Sequence, residues 1–199
     1  MSEQRSYPRS VKTDAGTIEL RHMTPADEAA VLEFARSLPA HDLLFLPRNI
    51  SEPKVLSAWI NELDRGGIVS LLAVKAGKVV GCGTVVRDTH SWSPHVGEIR
   101  NVISQEVRGL GVGRALSQET FALALGMGLE KLVVQMTVDQ VSAIALFEGM
   151  GFRGEALLRE HVRDRDGNKH DIVVLGHNVA HVRAQLEAYG MPDAVGAEN

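Results

Sequence analysis

At 199 residues the chain has room for one domain with a sizeable core, and 44% hydrophobic with 23% charged content is ordinary for a globular protein. A formal net charge of -4 supplies no basic footprint for nucleic acid. The single cysteine, Cys82, excludes an internal disulfide and a cysteine-rich zinc site. No apolar run approaches the roughly eighteen residues of a membrane span, and the opening Met1-Ser2-Glu3-Gln4-Arg5-Ser6 lacks a signal-peptide core. A cytoplasmic protein without a membrane partner is the expectation.

Residues 1–16 are polar, contain Pro8 and Gly16, and read as an arm without a core of its own. Residues 17–21 alternate like a strand. Thr24-Pro25 followed by Asp27 and Glu28 is a helix start, with Ala30, Val31, Phe34 and Leu38 at helical spacing and Pro39 ending it. Residues 40–50 form a proline-flanked connection with a Leu43-Leu44-Phe45-Leu46 cluster, the composition of a hydrophobic plug. A second helix over 51–63 would present Val55, Leu56, Trp59 and Leu63 on one face.

Residues 68–74 and 78–86 are β-rich runs joined by Lys75-Ala76-Gly77, a hairpin signal. Cys82 lies in the second run and reads as a buried, inert thiol, since an acyl-enzyme role would need a base beside it. A polar loop holding Trp92 leads to a strand over 95–104. There Glu98, Arg100 and Val102 share one face, and Ile99, Asn101 and Ile103 the other.

Arg108-Gly109-Leu110-Gly111-Val112-Gly113 follows that strand, and a helix-like segment begins at Arg114. Strand, glycine turn and helix start in this order present free backbone N–H groups at the positive end of a helix dipole, where a phosphate is stabilised. Arg108 and Arg114 bracket the loop and could add charge-assisted bonds. An NTPase loop would need Gly-Lys-Ser/Thr where Gly113-Arg114-Ala115 stands, and a dinucleotide fingerprint would need glycine at position 114. A strand over 132–138 and a short helix over 143–150 come next. Residues 152–162 and 171–175 form a closing strand pair around a charged hairpin tip. A terminal helix over 179–189 precedes a frayed tail. The eight histidines show no metal-ligand spacing, so no metal is expected.

The Arg-x-x-Gly-x-Gly loop, followed by Ala143-Ile144-Ala145-Leu146-Phe147-Glu148-Gly149-Met150-Gly151-Phe152, resembles the GCN5-related N-acetyltransferase (GNAT) superfamily over residues 17–177, leaving 178–199 as a C-terminal helix and tail. The resemblance implies an α/β (α+β mixed sheet) fold, a central twisted mixed β-sheet of about seven strands flanked by about four helices. It implies acetyl-CoA as co-substrate and transfer to the amine of a small molecule or a protein, with a homodimer left open.

The family pattern puts the cofactor's pyrophosphate on Arg108, Gly109, Leu110, Gly111, Val112, Gly113 and Arg114. A main-chain N–H near Ile103, with Val102 beside it, would polarise the thioester where the strand edge opens. Glu98 is the matching proton acceptor, with an ion pair to Arg100 or Arg87 as the plain alternative. Two positions depart from the pattern. Gln140 stands where the short helix usually begins with a cofactor-contacting Asn, and Phe147 stands where a general-acid Tyr is frequent. A phenyl ring donates no proton, although a thiol of pKa about 8.5 can leave without a strong acid. Transfer of another acyl group, and an acyl-CoA-sensing module without turnover, are the competing readings.

Overall fold

The computed structural model describes residues 5–63 and 65–181. In chain order the strands are β1 (Arg9–Thr13), β2 (Gly16–His22), β3 (Ile68–Lys75), β4 (Lys78–Val86), β5 (Val96–Ile103), β6 (Lys131–Thr137), β7 (Arg153–Arg163) and β8 (Lys169–Asn178). The α-helices are α1 (Glu28–Ser37), α2 (Pro53–Leu63), α3 (Val112–Gly126) and α4 (Val141–Gly149). All eight strands join one sheet in the order β1-β2-β3-β4-β5-β6-β8-β7, and only the β5–β6 neighbours run parallel. The expected mixed α/β sheet is present, with these four helices among the described residues.

Strand alternation sends successive side chains to opposite faces, and each face has its own cover. Leu72, Cys82 and Val102 meet Val31, Phe34, Leu56 and Ile60 of α1 and α2. Leu71, Ala73 and Val80 meet Val112 and Leu116 of α3 on the other face. Farther along that side, Leu132, Val134 and Phe152 pack with Phe147 of α4 and Ala124 of α3. In α1 the buried residues are Val31, Phe34 and Ala35, while Ala30 faces outward. α3 sits close against β4 because Gly83 has no side chain: a Cβ there would collide with Thr120 Oγ1 and lie 2.8 Å from Asn101 Oδ1.

The N-terminus corrects one expectation. Arg9–Thr13, expected as part of an arm without a core of its own, is an edge strand, paired antiparallel with β2 from Arg9↔Leu20 to Thr13↔Gly16. The sheet therefore has eight strands instead of about seven. Glu119 on α3 explains the anchorage. It is buried, and a buried carboxylate is costly unless paired. Arg5 and Arg9 form ion pairs with it, and the Tyr7 hydroxyl donates to it at 2.9 Å. Burial, then the hydrogen bond to Glu119, push the Tyr7 hydroxyl well above the usual phenol range. At the other end residues 179–181 are helical, and the rest of the expected terminal helix lies outside the described residues.

Candidate active site

β5 runs into a 3-10 turn, Gln105–Val107, and then into the glycine loop. Gly109 (φ +72°) and Gly111 (φ +81°) both occupy the left-handed region, which costs a Cβ-bearing residue about 1–2 kcal/mol. Gly111 is the N-cap of α3, so the helix starts two residues before the expected Arg114, and no side chain caps it. The first bond entering the helix is Ala115 N–H to the Gly111 carbonyl at 3.0 Å. The N–H groups of Val112, Gly113 and Arg114 precede the first i→i−4 bond. Uncapped donors at the positive end of a 15-residue helix fit an anion of pyrophosphate type. Val112 is buried and offers only its backbone; Arg114 and Arg108 are exposed beside the loop.

The sheet opens next to this loop. β5 and β6 pair only from Val96↔Lys131 to Ile99↔Val134, after which β5 stays with β4 and β6 with β8. Ser104 N–H donates to the Val80 carbonyl at 2.8 Å, so by alternation the even-numbered residues of β5 bond to β4. The backbone groups of Asn101 and Ile103 therefore point into the gap. Val102 is different: its backbone faces β4.

A single turn spans the gap's mouth. In the 3-10 turn Ala40–Leu43, Asp42 Oδ2 accepts from Arg108 Nη2 at 2.5 Å, and His41 Nε2 lies 2.7 Å from Asp139 Oδ2. Arg108 follows β5 and Asp139 follows β6, so the α1–α2 connection is tied to both sides of the opening. Burial works to raise the Asp139 carboxyl, but polar contacts, the His41 hydrogen bond among them, outweigh it and hold the group low.

A cavity of about 460 Å³ lies between α2 and the sheet. Cys82, Thr84, Arg100 and Val102 form its floor, and Leu46 and Trp59 its wall. The 40–50 connection thus does two jobs, burying Leu43 and Ile50 in the core and lending Leu46 to the cavity. A thioester reaching through the gap at Ile103 would meet this cavity at Val102.

A family model described as Acetyltransferase (GNAT) family matches residues 32–152. The chain belongs to that family. Among curated relatives, the IAA acetyltransferase of Azospirillum brasilense is 33% identical over 94 residues, covering 47% of this chain and 60% of that protein. A probable N-acetyltransferase family 8 member 5 of Mus musculus is 33% identical over 84 residues, or 41% of this chain and 37% of that one. The aligned stretches thus span less than two thirds of either relative. Two solved structures share the fold. The putative acetyltransferase yncA of Salmonella typhimurium, described with its cofactor acetyl-CoA, superposes with TM-score 0.69 at 18% identity, over 81% of this chain and 94% of that one. The phosphinothricin acetyltransferase of Sinorhizobium meliloti, in complex with acetyl-CoA, gives TM-score 0.70 at 19% identity, over 81% and 88%.

Within this GNAT fold the remaining expected residues take distinct places. Gln140 is the N-cap of α4, its carbonyl accepting from Ala143 and Ile144, and its side chain makes no capping bond. Phe147 is only 5% exposed and packs edge-on against Phe152 at 5.2 Å between centroids. Phe147, expected with Gln140 to contact the cofactor, has its ring in the core beside Phe152. Glu98 Oε2 accepts from Arg100 Nη2 at 2.7 Å, the plain alternative anticipated for it, while Oε1 is buried without a described partner. Glu98 does not line the cavity. Burial pushes the Cys82 thiol up to about 12. Among the described residues no group of three or more His, Cys, Asp or Glu is placed to hold a metal.

Sequence reasoning had Arg100 only as a partner for Glu98 and gave no role to Asp42, His41 or Asp139. Strand alternation could have found Arg100, because it shares a face with Val102. The two ties of the 40–43 turn bridge 66 and 98 residues of chain and leave no local pattern.

Proposed function

We propose that this GNAT-family protein moves an acetyl group from acetyl-CoA to a primary amine within a ternary complex. The observation that carries the reading is the uncapped start of α3 beside the opening between β5 and β6, with a cavity on the far side of that opening. Acetyl-CoA supplies the activated acetyl group as a thioester. The backbone from Arg108 to Arg114 holds the pyrophosphate, and the Ile103 N–H donates to the thioester carbonyl where negative charge develops. Gln140, at the far lip of the gap, offers its amide to the pantetheine arm. Glu98 takes the amine proton through a relay of waters, since the side chain itself stands outside the cavity.

Direct transfer fits the state of Cys82. A thiol with a pKa of about 12 is neutral near pH 7 and a poor acyl carrier. Phe147 supports the competing reading of a binding module, because its ring cannot protonate the leaving thiolate; solvent fills that role here. Free-thiol release from acetyl-CoA across amine classes tests the transferase reading. Glu98→Gln should lower kcat by roughly 10²-fold or more and remove the acidic limb of the pH–rate profile, where a general base loses activity on protonation. An unchanged profile would assign the proton to solvent.

A further inference from the structure

The cavity is apolar over most of its wall, where Ile50, Val55, Ile68 and Val86 join Leu46 and Trp59, yet it carries two arginines. Arg100 is on the floor and half-buried, and Arg48 is exposed at the rim. Glu98 bonds Arg100 only through Nη2, and Arg100 Nε is buried with no described acceptor. The Trp59 indole N–H is buried with no described acceptor either. The carboxylate among the lining residues, Glu62, is bonded by Arg65 at 2.6 Å. Glu98 offsets part of the Arg100 charge, but the lining itself holds two guanidiniums and one carboxylate. A simple alkylamine, cationic before it is deprotonated, would meet like charge and leave these donors unpaired, and each unpaired buried donor is costly.

We propose, resting on the transferase reading, that the acceptor is an amino acid with an apolar side chain, its carboxylate held by Arg100 and its amine delivered to the opening at Val102. The planar guanidinium fork matches a carboxylate, and Glu98 fixes the fork's orientation from behind. Arg48 completes the field at the rim. Arg100 and Val102 lie two residues apart on one face, about 7 Å along the strand. That spacing suits an amine only a few bonds from the carboxylate. The apolar wall of α2 then covers the side chain. In the reaction the amine nitrogen forms the amide bond, the carbon–sulfur bond of the thioester breaks, the sulfur leaves as thiolate, and the amine proton passes to water in the cavity, at the start of a relay toward Glu98.

The test compares leucine and phenylalanine with their amides and with isoamylamine and phenethylamine. Thiol release is read for turnover, and calorimetry on the coenzyme A complex is read for acceptor binding. The amino acids should exceed the decarboxylated amines in kcat/KM by about tenfold to hundredfold, the worth of a charge-assisted hydrogen bond. Arg100→Met should erase that preference mainly through KM, with Arg48→Met giving a smaller loss should Arg100→Met fold poorly. Equal or better use of the decarboxylated amines would overturn the proposal and leave the transferase reading standing. Acetyl-CoA binding with no acceptor bound or acetylated from this panel, but with release on a polyamine or peptide, would also overturn it alone. No acetyl-CoA binding would remove both.

Discussion

Arg108 Nη2 lies 2.5 Å from Asp42 Oδ2, so the arginine that opens the glycine loop is held by the turn that spans the gap between β5 and β6. The carboxylate also places negative charge beside the loop proposed to hold the pyrophosphate. A pyrophosphate must compete with Asp42 for this guanidinium.

Asp42→Asn should therefore tighten acetyl-CoA binding a few-fold, within the roughly 1 kcal/mol that exposed ion pairs contribute, and more at low salt. Calorimetry at two ionic strengths measures it. Weaker binding would show that Asp42 orients Arg108 for the cofactor instead of competing with it.

Cys82 occupies the cavity floor as a buried thiol. Cys82→Ala should retain kcat within a few-fold, because a buried thiol with a pKa near 12 carries almost no thiolate at neutral pH. Mass spectrometry after mixing with acetyl-CoA alone should find no acetylated protein. A stable acetyl adduct on Cys82, together with loss of turnover in the alanine variant, would establish a two-step route.

His177 gives the fold an acid-sensitive point. It lies between Phe121 and Phe152, with ring centroids 5.1 and 5.3 Å away, and its Nδ1 has no described partner. Burial, then the nearby Arg153 charge, depress its pKa below the ordinary 6.5. The unfolded chain thus binds a proton more readily than the folded one. The stabilisation is complete above pH 6.5 and declines as pH falls below it toward the folded value. Urea midpoints should drop across that window in the parent protein and less steeply in His177→Phe. Identical slopes would show that His177 charges without penalty.

Gly83 sets how closely α3 approaches β4. Gly83→Ala puts a Cβ into Thr120 Oγ1, whose hydroxyl is committed to the Leu116 carbonyl at 2.7 Å. Overpacking of this kind costs about 1–3 kcal/mol, read as a lower urea midpoint at unchanged m-value. No loss would mean that α3 shifts freely on the sheet.

What could be read from the residues followed from local rules. Gly109 and Gly111 advertise positive φ, and the strand before them and helix after them are periodic, so the turn and the helix start were legible. So was the two-faced character of β5, because alternation sorts Glu98 and Val102 from Ile99 and Ile103. β1 escaped because Arg9-Ser10-Val11-Lys12-Thr13 has a single apolar residue, and its anchor, Glu119, is more than a hundred positions away. The cavity escaped for the same reason: α2, β4 and β5 each supply part of it, and no segment carries the pattern alone. Phe147 read as a lost catalytic position, whereas packing against Phe152 shows why an apolar ring is stable there.

The most direct measurement is calorimetric titration of acetyl-CoA into the parent protein and into Gly111→Glu, with thermal melts to confirm that both are folded. Glutamate at the N-cap of α3 brings bulk, left-handed strain and negative charge to the point where pyrophosphate would sit. The account predicts saturable binding to the parent protein and none to the folded variant. Equal binding to both would place acetyl-CoA elsewhere and contradict the account at its centre.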